Sequence, residues 1–226
     1  MLEVILDTET TGLSTNEKHR IVEIGCIELD NLIATENIFH QYINPQRQVS
    51  KEAFEIHGYS NDFLKNKKSF KEISSEFLKF INGKKLIIHN AEFDLSFINY
   101  ELKLLNKELL KKENVIDTLE LARKKYPGSQ NSLDALCKRF NIDNSKRQKH
   151  NALMDCQLLR EVYVNLLDQK EPKLNLDSST IIDSKKLKNK DKKIDNKQIV
   201  IKPTENEFKL HKSYIKSFVS DKNFYD

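Results

Sequence analysis

Two acids, Asp7 and Glu9, stand two residues apart in the run Val4-Ile5-Leu6-Asp7-Thr8-Glu9-Thr10-Thr11-Gly12. On an extended strand, positions i and i+2 leave the same face of a sheet, so both carboxylates crowd one spot. Their mutual repulsion there is severe unless a cation neutralises it. Two further acids are candidates to join them: Asp94 in His89-Asn90-Ala91-Glu92-Phe93-Asp94, and Asp155 in His150-Asn151-Ala152-Leu153-Met154-Asp155. Four oxygen donors with no cysteine among them suit Mg²⁺ or Mn²⁺ rather than structural zinc. Two such ions about 3.5 to 4 Å apart activate a water and stabilise the attacking and leaving oxygens of a phosphodiester. His150, with an unperturbed pKa near 6.5, suits the role of proton acceptor.

Each of these residues also has a plainer reading. Asp7 and Glu9 alone could be a solvated edge pair, and Asp94 could simply favour the positive end of its helix. His150 could be a loop histidine. Lys146, Arg147 and Lys149 beside it fit either a solvated turn or a phosphate-contacting rim. His89 reads as a hydrogen-bonded core residue at a strand end. Thr10, Thr11 and Gly12 read as a strand end and turn, with Gly12 also able to let backbone approach a nucleotide closely. What separates these readings is whether the acids, far apart in sequence, meet in space.

The elements that must bring them together follow from apolar spacing. Residues 2–7, 21–29 and 36–43 read as strands, and the short connection between the second and third predicts an antiparallel meander. Phe70, Ile73, Phe77, Phe80 and Ile81 predict a helix stopped near Gly83. A short strand at 85–89 leads into a helix over about 91–105, which puts Asp94 in its first turn. Residues 115–117 read as another strand, Leu119 to Lys125 as a helix ended by Pro127-Gly128, and Leu133, Leu136, Cys137 and Phe140 mark the next helix. The last strong helix spans about 151–167. Residues five apart on a helix diverge by about 140°, so His150 is expected to precede that helix while Asp155 projects inward from its second turn. Strands first, then strands alternating with helices, predict an α/β layered fold with a mixed sheet.

The 226 residues can hold one buried domain and an appendage. There is no charged-then-apolar leader and no apolar run near the roughly 18 residues of a membrane span, so a soluble, cytoplasmic protein without membrane contact is expected. Cys26, Cys137 and Cys156 lie far apart within apolar patterns and read as small core residues. The formal charge of +4 is unevenly placed: residues 1–167 hold 24 basic and 24 acidic groups, residues 168–226 hold 14 and 10. A neutral domain cannot grip a polyanion by bulk charge, so any hold on nucleic acid must be local and metal-assisted. Residues 168–198, lysine-rich around 183–198, read as a flexible linker. Apolar residues return at Ile199-Val200-Ile201 and at Phe208, Leu210, Tyr214, Ile215 and Phe218, which fits a strand and amphipathic helix that dock on a partner.

The three motifs, Asp7 to Gly12, His89 to Asp94 and His150-x4-Asp155, resemble those of the DEDD exonuclease family, histidine subclass, in order and spacing. Glu52 to Gly58, Asn131 to Cys137 and Ile142 to Arg147 are similar to the branch that proofreads for bacterial replicative DNA polymerases, over about residues 2–167. The resemblance implies a ribonuclease-H-like mixed β-sheet flanked by α-helices, with an extended C-terminal tail. It implies that Asp7, Glu9 and Asp155 bind two divalent ions, that Asp94 supports the second through water, and that His150 is the general base. It also implies that Glu52 and His57, with Asp7, Glu9 and Asp155, contact the single-stranded 3′ end of DNA. By the same resemblance, residues 199–226 dock on the polymerase alpha subunit, and a small accessory (theta) subunit is a possible partner. Gln169 to Leu174 sits where a sliding-clamp peptide is expected, yet Pro172 departs from that pattern by standing in an anchor position. Two alternatives keep the motifs but change the role: a free-standing exoribonuclease or single-strand DNase, and a mainly structural polymerase-binding subunit.

Overall fold

The computed structural model describes residues 2–145, 147, 149–167 and 204–218. Among them a five-stranded sheet forms from β1 (Leu2–Thr10), β2 (Ile21–Asp30), β3 (Ile33–Tyr42), β4 (Lys85–Ile88) and β5 (Val115–Asp117), in the order β3-β2-β1-β4-β5. β1 to β3 are an antiparallel meander, whereas β1–β4 and β4–β5 pair in parallel, as the mixed-sheet reading requires. The chain leaves β1 toward one side of the sheet and returns as β4 on the other. Such a switch point opens a crevice beyond the carboxyl ends of the parallel strands.

Alternation along β1 splits the core in two. Val4 and Leu6 pack with Ile24, Leu86 and Ile88 against α3 (Phe70–Ile81) and α4 (Ala91–Leu104), where Phe70, Phe77 and Phe97 are fully buried. Ile5 and Ile87 face the other layer, built by α5 (Thr118–Lys125), α6 (Leu133–Phe140) and α7 (Ala152–Leu166). Asp7 and Glu9 continue the row of Ile5, so the strand carries both acids toward α7. β1 runs to Thr10 and β3 starts at Ile33, each three residues beyond the predicted limits.

Two short helices have no counterpart in the sequence reading: α1 (Lys51–His57) and α2 (Asn61–Lys65), whose caps Ser50 and Ser60 accept from the N–H groups of Ala53 and Phe63. At five and seven residues they are too short to show a helical stripe, and only the serine caps mark them. The three cysteines are buried free thiols. No helix of the described residues is long and apolar enough to cross a membrane.

The linker expected at 168–198, the clamp segment Gln169 to Leu174 and the strand at Ile199 to Ile201 lie outside the described residues. Within a second unit, Asn175–Asp226, α8 (Glu205–Phe218) is the helix that apolar spacing predicts. Thr204 and Glu207 cap it reciprocally, and it leaves Phe208, Leu210 and Tyr214 exposed.

Gly25 sets how closely α7 meets the sheet. It pairs directly with Asp7 across the β1–β2 ladder, and a Cβ there would lie 2.6 Å from the backbone carbon of Ala152. The Cys156 thiol donates to the Gly25 carbonyl at 3.2 Å in the space this leaves. Because the obstruction is backbone, it cannot rotate aside. Gly25→Ala is expected to cost about 1–3 kcal/mol of stability. Denaturant unfolding measures it, and an unchanged midpoint would contradict this packing.

Candidate active site

A cleft of about 930 Å³ opens where β1 and β4 end, lined among others by Asp7, Glu9, Glu52, His57, Asp94, His150 and Asp155. These seven candidate residues therefore border one space, although they come from β1, α1, α4, α7 and the loop before α7. Asp94 reaches it from the opposite layer to α7. Thr8, on the Leu6 face of β1, donates both its backbone N–H (3.0 Å) and its hydroxyl (2.7 Å) to Asp94 Oδ1. Ligand atoms of Glu9, His150 and Asp155 lie within 4.8 Å of one another, a group able to hold a metal ion. Asp7 and Asp94 line the same cleft outside that tight group.

The turn after β1 is pinned from several sides. Thr11 donates its N–H to the Arg20 carbonyl and shares its hydroxyl with His19 and the Arg20 N–H, while Arg20 forks onto the buried Glu101 with two bonds of 2.6 Å. Gly12 fits this packing, since a Cβ there would lie 2.3 Å from the His19 ring. Intramolecular crowding thus agrees with the turn reading of this glycine, which also borders the cleft.

Burial and crowding shape the acids. Burial pushes the Asp7 carboxyl well above the usual carboxylate range, reinforced by Asp94, Glu9, Asp155 and Glu23. Glu9 is pushed up to about 8 by burial and then by Asp155, Glu23 and Asp94. Asp94 rises to about 7 through burial, even though the Thr8 bonds oppose the shift. This donor set, oxygen-rich and carrying more negative charge than its surroundings neutralise, fits a divalent cation. Burial and the Arg147 charge lower the pKa of His150, which favours the neutral ring.

His150 precedes α7, whose N-cap is Asn151, as the helix geometry demanded. Asp155 sits in the first turn of that helix rather than the second, because the helix begins at Ala152. His57 is 4% exposed, its Nδ1 accepts from the Tyr59 N–H, and its buried Nε2 makes no well-aligned hydrogen bond among the described residues, with only the Thr10 backbone as a weak partner. Such a ring nitrogen on a cleft wall is suited to a ligand. Glu52 is exposed on α1, with its carboxylate turned to the Ser50 hydroxyl and its own N–H. His89 is partly buried and bonds the Thr118 hydroxyl at 2.9 Å, as the core reading held, while also bordering the cleft.

Sequence reasoning passed over one residue here and read a second only as part of a basic turn or rim. Glu23 on β2 is fully buried and accepts from His40 (2.6 Å), Tyr59 (2.8 Å), the Asn151 amide (2.7 Å) and the Ala152 N–H (3.0 Å), which ties the start of α7 to the sheet. Its sign in the sequence is one acid inside the apolar run Ile21-Val22-Glu23-Ile24. Arg147 is neither solvated nor a free rim cation. Its side chain is 7% exposed and forks onto Asp155 with bonds of 2.6 and 2.7 Å. Lys149 remains at the surface, donating to the Glu55 carbonyl. Lys146 lies outside the described residues.

Comparison with known proteins gives concordant matches. The exonuclease family model matches residues 4–163. The chain is 50% identical to DNA polymerase III subunit epsilon of Rickettsia conorii over 217 residues, 94% of each chain. It is 48% identical to the subunit of the same name from Escherichia coli over 169 residues, 72% of this chain and 70% of that one. In fold it is similar to the nuclease domain of 3′hExo, a DEDDh family member bound to rAMP, with TM-score 0.65, 19% identity, and coverage of 75% of this chain and 92% of that one. Exonuclease I gives TM-score 0.65 at 16% identity, over 76% of this chain and 41% of that one.

The crowded acids carry a sign for stability against pH. A carboxyl whose folded pKa is raised favours its protonated form, so the folded state loses stability as pH climbs from the ordinary value of 3.8 toward the raised one. With chelator present, Asp7→Asn is expected to melt at least about 2 °C above the parent at pH 8. The gap should close near pH 4. Thermal melts across that range test this, and a less stable variant at pH 8 would reverse the sign.

Proposed function

Because this chain belongs to the exonuclease family, we propose that it is the 3′-to-5′ proofreading exonuclease of a replicative DNA polymerase. It hydrolyses mispaired 3′-terminal nucleotides to 5′-monophosphates. The observation that carries this reading is the convergence of Asp7, Glu9, Asp94, Asp155 and His150 on one cleft. Likeness at 50% identity to a polymerase III epsilon subunit over nearly the whole of both chains supports the replicative setting.

In this reading Asp7, Glu9 and Asp155 would hold two Mg²⁺ or Mn²⁺ ions, and Asp94 would support the second. Bound there, the ions supply charge stabilisation for the attacking and leaving oxygens of the phosphodiester. The chain's own groups do the rest. His150, neutral near pH 7, takes the proton of the attacking water. The Nε2 of His57, held only weakly by the Thr10 backbone, offers a polar contact for the terminal nucleotide, and Glu52 stands on the same helix at the cleft edge. Thr8 holds Asp94 in place with its two bonds, and Glu23 holds the start of α7, so acids from opposite layers keep their spacing.

Residues 1–167 form the nuclease domain, 168–198 a lysine-rich flexible linker, and 199–226 a segment that docks on the DNA polymerase III alpha subunit. The amphipathic α8 supports the last assignment. A sliding clamp and a small theta-type subunit are candidate further partners, and a cytoplasmic setting is part of the same proposal.

Asp7→Ala and His150→Ala are each expected to lower hydrolysis of a mismatched 3′ terminus with Mg²⁺ by about 10² to 10⁴. Near-normal rates would remove them from the mechanism, and a strong preference for RNA ends over DNA ends would favour an exoribonuclease. Deletion of residues 168–226 should spare hydrolysis and abolish co-purification with the polymerase; co-purification that survives the deletion rejects the tether.

A further inference from the structure

The loop between α6 and α7 places an arginine where the metal centre is expected to take its charge. Arg147 donates through Nε to Asp155 Oδ1 at 2.6 Å and through Nη2 to Asp155 Oδ2 at 2.7 Å, the fork geometry in which guanidinium and carboxylate bind most strongly. Nη2 also lies 3.0 Å from His150 Nδ1, and Nη1 contacts both oxygens of Asp134 at 2.8 Å. Arg147 and Asp155 are 7% and 4% exposed, while Asp134 is 56% exposed at the cleft rim. A single guanidinium therefore engages both oxygens of one acid, a ring nitrogen of the candidate base and a carboxylate at the entrance.

Two consequences follow from elementary chemistry. A cation cannot share the Asp155 carboxylate with a guanidinium at this distance without strong mutual repulsion. A neutral imidazole has one lone pair, and if Nδ1 spends it on Arg147 the ring proton sits on Nε2, leaving no nitrogen free to accept a proton. The arrangement thus ties up an acid and the base together.

We propose that Arg147 is a latch on this site: it neutralises Asp155 and engages His150 in the resting protein, and it yields both when a divalent cation enters. Asp134 retains the guanidinium at the rim as it leaves, so the arginine stays beside the substrate path. The inference deepens the nuclease reading and rests on the cleft being a divalent-metal centre. An arginine present only to stabilise the loop would not compete with the ion.

The test uses the full chain without DNA, with Mn²⁺ alone as the probe. Arg147→Gln should melt at lower temperature in chelator yet bind Mn²⁺ about tenfold tighter by calorimetry, since the ion no longer displaces a charge-assisted fork. Arg147→Lys, which keeps the charge but loses the fork, should fall between. In the unmutated protein the Arg147 Nε–H resonance should shift and exchange faster with solvent on Mg²⁺ saturation. Equal or weaker Mn²⁺ binding by both variants, or an Nε–H signal unmoved by Mg²⁺, overturns the latch while leaving the metal centre intact. If the unmutated protein takes up no Mn²⁺ at millimolar concentration, the metal centre itself fails and the latch with it.

Discussion

Like charges held together in a poorly solvated cleft govern this structure. Asp7, Glu9 and Asp94 each have an elevated pKa, with burial the largest cause in every case. Such a cluster opposes folding, so the surrounding scaffold must hold it against its own repulsion. β1 answers this by running through the middle of the sheet, hydrogen-bonded on both sides by β2 and β4. α7 answers it by packing down on Gly25, and α4 by the two bonds Asp94 accepts from Thr8. The position of each acid is thus overdetermined by elements that have nothing to do with one another in sequence.

Donor count separates the structural acids from the chemical ones. Glu23 and Glu101 are as buried as any acid in the cleft, yet Glu23 accepts from four groups and Glu101 from both arms of Arg20. Their charge is satisfied within the fold, and they act as struts. Among the described residues Asp7 and Glu9 receive no comparable set of donors, and their unspent acceptor capacity is what a cation would meet. Asp155 is intermediate, satisfied by an arginine that has other partners available. The same residue type therefore serves two purposes, and the neighbours decide which.

Much of this could be read from the chain alone because the informative features are local. The alternation of Val4, Ile5 and Leu6 places Asp7 and Glu9 on one face, and the stripe from Phe70 to Ile81 marks α3 to its true ends. The position of His150 outside α7 follows from helix geometry. α1 and α2 escaped because each is about two turns or less, where periodicity carries little information. Arg147 escaped for a different reason: a basic residue among lysines has the composition of a solvated turn, and only tertiary contact with Asp155 and Asp134 sets it apart. Glu23 left a visible sign, an acid interrupting a β-branched run, whose meaning depends on donors from β3, α7 and the segment after α1.

The buried cysteines give the molecule a chemical property of their own. Cys26, Cys137 and Cys156 are enclosed thiols, and burial drives the pKa of each upward, that of Cys137 to about 11. It is the thiolate that attacks peroxides and electrophiles, and at neutral pH almost none is present. Two of these sulfurs flank the strand that bears the first acidic motif, so a sulfenic acid or bulky adduct there would wedge the layers apart. Enclosure thus keeps these three thiols unreactive while the fold is closed, so their oxidation reports opening of the layers around β1.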